Sequence, residues 1–95
     1  MSGSNFNGLK YKDINIKLDT KNVVVYIFDG ISIKKTYKFS RLIYDNIVDV
    51  LYDLEYKILS NNIFCKSYSK QVNEIITYLE YNQGLYDFTR SWIQL

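Results

Sequence analysis

The stretch Val-Val-Val-Tyr-Ile-Phe-Asp-Gly-Ile-Ser-Ile, residues 23–33, decides the fold of this chain. Residues 23–28 are all β-branched or aromatic, which is the composition that strands favour. Asp29-Gly30 then stands between two apolar runs and indicates a two-residue hairpin turn, because such turns need a positive φ that Asp and Gly tolerate. We therefore predict two antiparallel strands, with the second over residues 31–39.

The residues before this hairpin predict a third strand. Residues 13–18 alternate polar and apolar side chains, so that Ile14, Ile16 and Leu18 share one face. Residues 19–22 supply the polar turn that separates this strand from Val23. The sequence thus predicts a three-stranded antiparallel meander over residues 12–39, preceded by a flexible lead over residues 1–8.

The hairpin turn also predicts which side chains share a face of the sheet. A loop at Asp29-Gly30 pairs Phe28 with Ile31, so these residues lie on the same side. The predicted core face carries seven apolar side chains: Val24, Tyr26, Phe28, Ile31, Ile33, Tyr37 and Phe39. The predicted outer face carries Val23, Val25 and Ile27 beside Ser32, Lys34, Thr36 and Lys38.

Helical periodicity dominates the rest of the chain. Ser40 is a suitable N-cap for a helix over residues 41–59, whose apolar side chains are Ile43, Ile47, Val50, Leu51, Leu54 and Ile58. A second helix begins at Ser67 or Ser69, buries Val72, Ile75, Ile76 and Leu79, and ends at Gly84. Residues 85–95 repeat apolar side chains at helical spacing and predict a short third helix, with a terminal strand as the alternative.

The predicted fold class is therefore α+β. A single domain over residues 1–95 combines a three-stranded antiparallel meander with a helical half, residues 40–95. Its two or three helices pack on one face of the sheet.

The composition excludes most catalytic chemistry. The chain has no His, one Cys and four scattered Gly, so it lacks the usual His-dependent nucleophiles, His-containing metal sites and phosphate-binding glycine loops. We therefore expect a protein that is not an enzyme and needs no cofactor or metal. Small ribonucleases that use Lys, Arg and Tyr in place of His are the one enzyme class compatible with the sequence. The longest apolar run, residues 23–28, is too short to span a bilayer, and we expect a cytoplasmic location.

Charge is divided unevenly along the chain. Residues 1–40 contain seven Lys and three Asp, a net charge of +4, whereas residues 41–95 contain five Lys or Arg and seven Asp or Glu, a net charge of −2. The basic side chains of the sheet are Lys17, Lys34 and Lys38, with Lys10 and Lys12 near them. They predict either an ordinary solvated face or a weak contact with nucleic-acid phosphates. With its aromatic side chains assigned to the core, the outer face has no stacking pattern typical of RNA-binding sheets.

Two further surfaces are candidates for protein contacts. Asp45, Asp49 and Asp53 recur every four residues between Arg41 and Lys57, and Tyr52 and Tyr56 flank them, which predicts an acidic surface for a basic protein partner. On the sheet, an outward-facing Val23, Val25 and Ile27 would leave an apolar patch. Such a patch predicts self-association, for example as a homodimer.

The order of three strands and two helices over residues 14–79 resembles that of the small inhibitors made by phages and mobile elements, including anti-CRISPR proteins. The composition agrees with such an origin, since Ile, Tyr, Asn and Lys are abundant and Ala and Pro are absent, as AT-rich codons favour. The resemblance implies a non-enzymatic inhibitor that binds a host effector, such as a nucleoprotein complex, in the host cytoplasm. The positive net charge of +2 departs from the strongly acidic inhibitors that mimic DNA.

Overall fold

A computed structural model describes residues 8–61 and 66–81. These residues form a four-stranded antiparallel sheet in the order β1-β2-β3-β4, followed by two helices. The strands are β1 (Gly8–Tyr11), β2 (Ile14–Leu18), β3 (Asn22–Asp29) and β4 (Ser32–Ser40), and the helices are α1 (Ile47–Leu59) and α2 (Lys66–Tyr81). The α+β class is confirmed, with four strands instead of three.

The additional strand, β1, begins within the segment predicted to be a flexible lead. It pairs with β2 through a tight turn at Lys12 and Asp13. Lys12 has a φ of +52°, a left-handed conformation that Gly or Asn adopts more readily than Lys. The positive-φ position of the turn therefore lacks the residue type that marks a hairpin in a sequence. For this reason the sequence pattern does not predict a strand over residues 8–11.

The predicted faces of β3 are wrong, because the structure inverts them. Val23, Val25 and Ile27 lie opposite Leu18, Ile16 and Ile14 of β2, and all three are completely buried. Directly opposed residues of an antiparallel pair share a face. The side chains that β3 contributes to the core are therefore those that were predicted on the outer face. Val24, Tyr26 and Phe28 point to the other side. The predicted self-association patch is therefore part of the core.

The inversion follows from the hairpin between β3 and β4. Its loop is Gly30-Ile31, with Asp29 opposite Ser32 and a φ of +66° at Gly30. The register then shifts between Phe28, opposite Ile33, and Ile27, opposite Lys35, so that Lys34 is the additional residue of a β-bulge. Beyond the bulge, Val25 and Val23 share their face with Tyr37 and Phe39. Ile31 and Ile33, expected in the core, are 98% and 53% exposed.

Helix α1 begins six residues later than predicted. Asn46 is its N-cap, and its Oδ1 accepts a hydrogen bond from the Asp49 backbone N–H at 3.1 Å. Ser40 ends β4 instead of capping a helix. Arg41 then fixes the connection to the β2–β3 turn: its backbone N–H donates to the Lys21 carbonyl, and its guanidinium donates to the Asp19 carbonyl. Ile43 lies in this connection and is exposed, which corrects its assignment to the core.

The remaining apolar positions of both helices are confirmed as core. The side chains of Ile47, Val50, Leu51, Leu54, Ile58, Val72, Ile75, Ile76 and Leu79 are buried against the face that carries Ile14, Ile16, Val23, Val25 and Ile27. Three features of the sequence lie outside the described residues: Gly84, the predicted third helix and the single cysteine, Cys65. Within the described ranges, both helices pack on one face of the sheet and leave the other face without a helix.

Polar contacts attach the β1–β2 turn to α2. The amide of Gln71, which is 5% exposed, accepts a hydrogen bond from the Asp13 backbone N–H at 2.9 Å and donates to the Asp13 carboxylate at 3.0 Å. Nearby, the Tyr11 hydroxyl donates to Glu74 at 2.7 Å, and Lys12 forms an ion pair with the same carboxylate at 3.3 Å. These bonds hold the turn in place because a buried amide left without partners would be destabilising.

The face assignment predicts a difference between two isoleucines that lie on opposite sides of the sheet. Ile27→Ala should lower the free energy of unfolding by about 2–5 kcal/mol, because it leaves a cavity in the core. Ile33→Ala should lower it by about 1 kcal/mol or less, since an exposed strand residue loses mainly β-propensity. Urea denaturation measures both values. A larger loss for Ile33→Ala than for Ile27→Ala would show that the face carrying Phe28 is the core.

Candidate nucleic-acid interface on the outer sheet face

The register assigns a defined set of side chains to the face of the sheet that carries no described helix, which we call the outer sheet face. Its residues lie in four cross-strand rows. From the hairpin end to the other end of the sheet they are Phe28 and Ile33; Lys10, Asn15, Tyr26 and Thr36; Gly8, Lys17, Val24 and Lys38; and Asn22 and Ser40. Basic, amide, hydroxyl and aromatic groups are all present, and this set contains no carboxylate.

Two aromatic side chains of this face lie on β3, one of the two inner strands. Tyr26 and Phe28 are alternate residues of β3, and both are partly exposed. Residues two apart on a strand lie about 6.8 Å from one another, so the two rings lie in successive rows. Because β3 lies between β2 and β4, these rings are flanked by other strands on both sides. Both rings are predicted core residues, and the structure corrects this prediction because it places them on the surface of the sheet.

Three lysines lie in the row of Tyr26 and in the row next to it. Lys17 and Lys38 lie on either side of Val24, and Lys10 lies in the row of Tyr26. Among the described residues, these three ammonium groups have no carboxylate within ion-pair distance, whereas Lys12 pairs with Glu74 and Lys57 with Asp53. These three lysines therefore give the outer sheet face a positive charge that is available to an anionic ligand.

Lys34 does not belong to this group, which corrects its predicted position. It is the additional residue of the bulge, and its Nζ lies 5.7 Å from the centroid of the Tyr68 ring on α2. The bulge thus directs this lysine to the helical side. Lys17 and Lys38 remain where the sequence analysis placed them, on the outer face.

A pocket of about 360 Å³ lies at the hairpin end of the outer sheet face. Phe28, Asn15 and Lys10 line it together with residues of the two hairpin turns, Lys12, Asp13, Gly30 and Ile31. One wall is attached to α2 through the bonds between Asp13 and Gln71. The pocket therefore combines an aromatic ring, an amide and ammonium groups with the Asp13 carboxylate, beside a turn that is held by partly buried hydrogen bonds.

The predicted acidic row on α1 is only partly assembled. Asp45 precedes the N-cap, so only Asp49, Asp53 and Lys57 follow one another along the helix. Asp53 is engaged within the protein: it accepts a hydrogen bond from the Tyr44 hydroxyl at 2.5 Å and pairs with Lys57 at 3.5 Å. Asp53 therefore acts as a link between α1 and the β4–α1 connection, and Asp49 is the carboxylate of this row that lies exposed on the helix.

The two tyrosines of α1 are exposed as predicted. Tyr56 is 70% exposed, and Tyr52 is 49% exposed with its hydroxyl donating to Glu80 of α2 at 3.1 Å. The bond to Glu80 raises the pKa of Tyr52 above its ordinary value. Asp49, Tyr52 and Tyr56 are spaced three and four residues apart and so form one strip on the exposed side of the helix.

Comparisons with known proteins identify no relative of this chain. No protein-family model matches it. Neither a curated protein nor a solved structure gives a significant match.

The residues that the structure describes contain no group of three or more Cys, Asp or Glu arranged to hold a metal ion. Neither described helix is both long and apolar enough to cross a membrane.

The Tyr44–Asp53 contact predicts a specific change in titration. The bond to the carboxylate, together with desolvation, raises the pKa of Tyr44 to about 12. Asp53→Asn removes the negative charge and should return this pKa toward the ordinary value of about 10. Alkaline titration of tyrosine absorbance measures the change, and Tyr44→Phe, which removes the group, identifies its contribution. An unchanged titration curve in Asp53→Asn would contradict the assignment.

The same pKa fixes the sign of a stability change. The folded pKa of Tyr44 lies above the unfolded value, so the protonated hydroxyl is favoured in the folded state. The stabilisation from this bond is complete below about pH 10 and is lost as the pH rises toward 12.

Proposed function

We propose that this protein binds single-stranded nucleic acid through its outer sheet face. The observation that carries the proposal is the partial exposure of Tyr26 and Phe28 on a face whose paired residues include Lys10, Lys17 and Lys38 and no described carboxylate. Sheet surfaces that bind single-stranded RNA stack unpaired bases on aromatic side chains of this kind. Lysines beside the rings provide the electrostatic contacts to the phosphates.

The shape of the surface favours a single strand over a duplex. The rings of Tyr26 and Phe28 lie on the central part of a four-stranded face, and a paired base has no free ring face to offer them. The major groove of B-DNA admits a helix or a two-stranded ribbon, which is narrower than this sheet. Stacking on both rings would supply about 1–3 kcal/mol per base, which adds to the electrostatic attraction.

The number of lysines sets the expected salt dependence. Contacts between three lysines and phosphates would give a slope of log K against log salt of about −2 for a single strand. A slope of this size reflects few phosphate contacts, which is consistent with a chain whose net charge is only +2. The function that we propose is binding without catalysis.

Three variants test the proposal in fluorescence anisotropy titrations with a short single-stranded oligonucleotide. Lys17→Ala should make the salt slope less steep by about 0.7, because one phosphate contact is lost. Tyr26→Val should weaken binding by about 1–3 kcal/mol through the loss of stacking, while the β-branched side chain preserves the strand. Lys66→Ala, an exposed lysine at the start of α2, is the matched control and should bind like the wild type.

The opposite results would reject this function. Absence of binding at low salt, or equal effects of Lys17→Ala and Lys66→Ala, would mean that the outer sheet face is not the binding surface. Preference for a duplex over a single strand would contradict the stacking of bases on Tyr26.

A second candidate function uses the exposed strip of α1. We propose that Asp49, Tyr52 and Tyr56 bind a basic surface on a host protein, as expected of a phage or mobile-element inhibitor that acts in the host cytoplasm. The observation that favours it is the exposure of two tyrosines beside a carboxylate on one helix, since Tyr is enriched at the centre of protein interfaces.

The double variant Asp49→Ala/Tyr52→Ala tests this second function. Truncating a central interface tyrosine commonly reduces affinity by about 2 kcal/mol or more, so the variant should lose a partner that the wild-type protein captures from a low-GC bacterial host. Lys17→Ala/Lys38→Ala is the matched control and should retain that partner. Thermal denaturation verifies that both variants fold. Capture of the same partner by the α1 double variant would exclude the strip as the binding surface.

A further inference from the structure

The pocket at the hairpin end differs from the rest of the outer sheet face in its chemistry. Tyr26 can stack on any base and the lysines can contact any phosphate, so these groups do not select one nucleotide over another. The pocket adds the side-chain amide of Asn15, which lies in the same cross-strand row as Lys10 and Tyr26. Among the described residues, this amide has no hydrogen-bond partner, so its donor and acceptor are available to a ligand.

The amide of Asn15 matches the edge of one base, adenine. An Asn side chain presents an acceptor oxygen beside a donor NH₂ group. Adenine presents the complementary pair, an N6 amino donor beside the N7 acceptor, and two parallel hydrogen bonds can form. Guanine presents two acceptors on the same edge, which suits Lys or Arg better than Asn.

The other lining residues complete a site for one nucleotide. Phe28 provides a ring on which a base can stack, and a purine covers more of that ring than a pyrimidine. Lys10 provides a cation for the adjoining phosphate. The pocket volume of about 360 Å³ is near the lower end of the range for small-molecule sites, which fits one nucleotide better than several.

We propose that this pocket receives one unpaired adenine of the bound strand, stacked on Phe28 and recognised by the amide of Asn15. This inference rests on the proposed nucleic-acid function and adds base selectivity to it. Lys17, Lys38 and Tyr26 then determine the affinity for any strand, and Asn15 determines which base occupies the pocket.

The test compares oligonucleotides that differ at one base. An eight-nucleotide thymine strand is titrated beside strands in which one central thymine is replaced by adenine, cytosine or guanine. Since the strand can shift until that base reaches the pocket, one adenine is sufficient. We expect the wild-type protein to bind the adenine strand about tenfold more tightly than the thymine strand, as one bidentate contact typically provides.

Two asparagine variants separate recognition from general binding. Asn15→Ala should reduce the adenine preference to about twofold or less, because the adenine and thymine strands then differ only in how the base stacks on Phe28. Asn73→Ala, which replaces an exposed asparagine of α2 outside the outer sheet face, should retain the tenfold preference. Because Asn15 is partly exposed, its replacement should not unfold the sheet, and circular dichroism confirms this.

The outcomes distinguish this inference from the function on which it rests. Equal binding of all four strands, preference for another base, or an adenine preference that survives in Asn15→Ala would overturn the adenine site and leave single-strand binding intact. Failure of the wild-type protein to bind any strand would overturn both.

Discussion

The pairing of β2 with β3 determines how the rest of this molecule is arranged. Ile14, Ile16 and Leu18 oppose Ile27, Val25 and Val23, and five of these six side chains are buried almost completely. Helices α1 and α2 cover that face and complete the core. Because side chains alternate along a strand, the same pairing directs Asn15, Lys17, Val24, Tyr26 and Phe28 outward. The composition of the outer sheet face is therefore a consequence of how the core is formed.

The bulge in β4 makes this arrangement compatible with a short hairpin. The pairs Asp29–Ser32 and Phe28–Ile33 would, if continued without interruption, place Val25 opposite Thr36. One additional residue, Lys34, restores Tyr37 and Phe39 to the buried side, where Phe39 contacts Tyr44 with ring centroids 5.8 Å apart. Bulges re-aim side chains near functional surfaces. Here the bulge moves Lys34 toward α2 and leaves Ile33 beside Phe28.

The two faces of the domain differ in their surface chemistry. The outer sheet face combines aromatic rings with lysines that form no ion pair among the described residues, whereas the exposed side of α1 carries Asp49 beside Tyr52 and Tyr56. Several charges elsewhere are used internally: Asp53 with Tyr44 and Lys57, Glu74 with Tyr11 and Lys12, and Asp13 with Gln71. These internal contacts reduce the acidic surface expected from the sequence but do not alter the positive outer sheet face. The charge division between the two halves of the chain therefore persists as a division between two surfaces.

The sequence by itself determined the α+β class, the antiparallel hairpin around Gly30, and the buried positions of both helices, because these follow from local composition and from periodicity within one element. It also excluded His-dependent chemistry. Tertiary structure decided the rest. Residues 23–28 are apolar on both sides, so their own pattern does not say which side is buried; that depends on pairing with β2 and on the bulge at Lys34. The strand β1 depends likewise on a turn at Lys12. The start of α1 after Asn46 depends on contacts of Arg41 with the β2–β3 turn, which lies far away in the sequence. Tyr26, Phe28 and Asn15 became candidates for ligand binding only when that pairing was known.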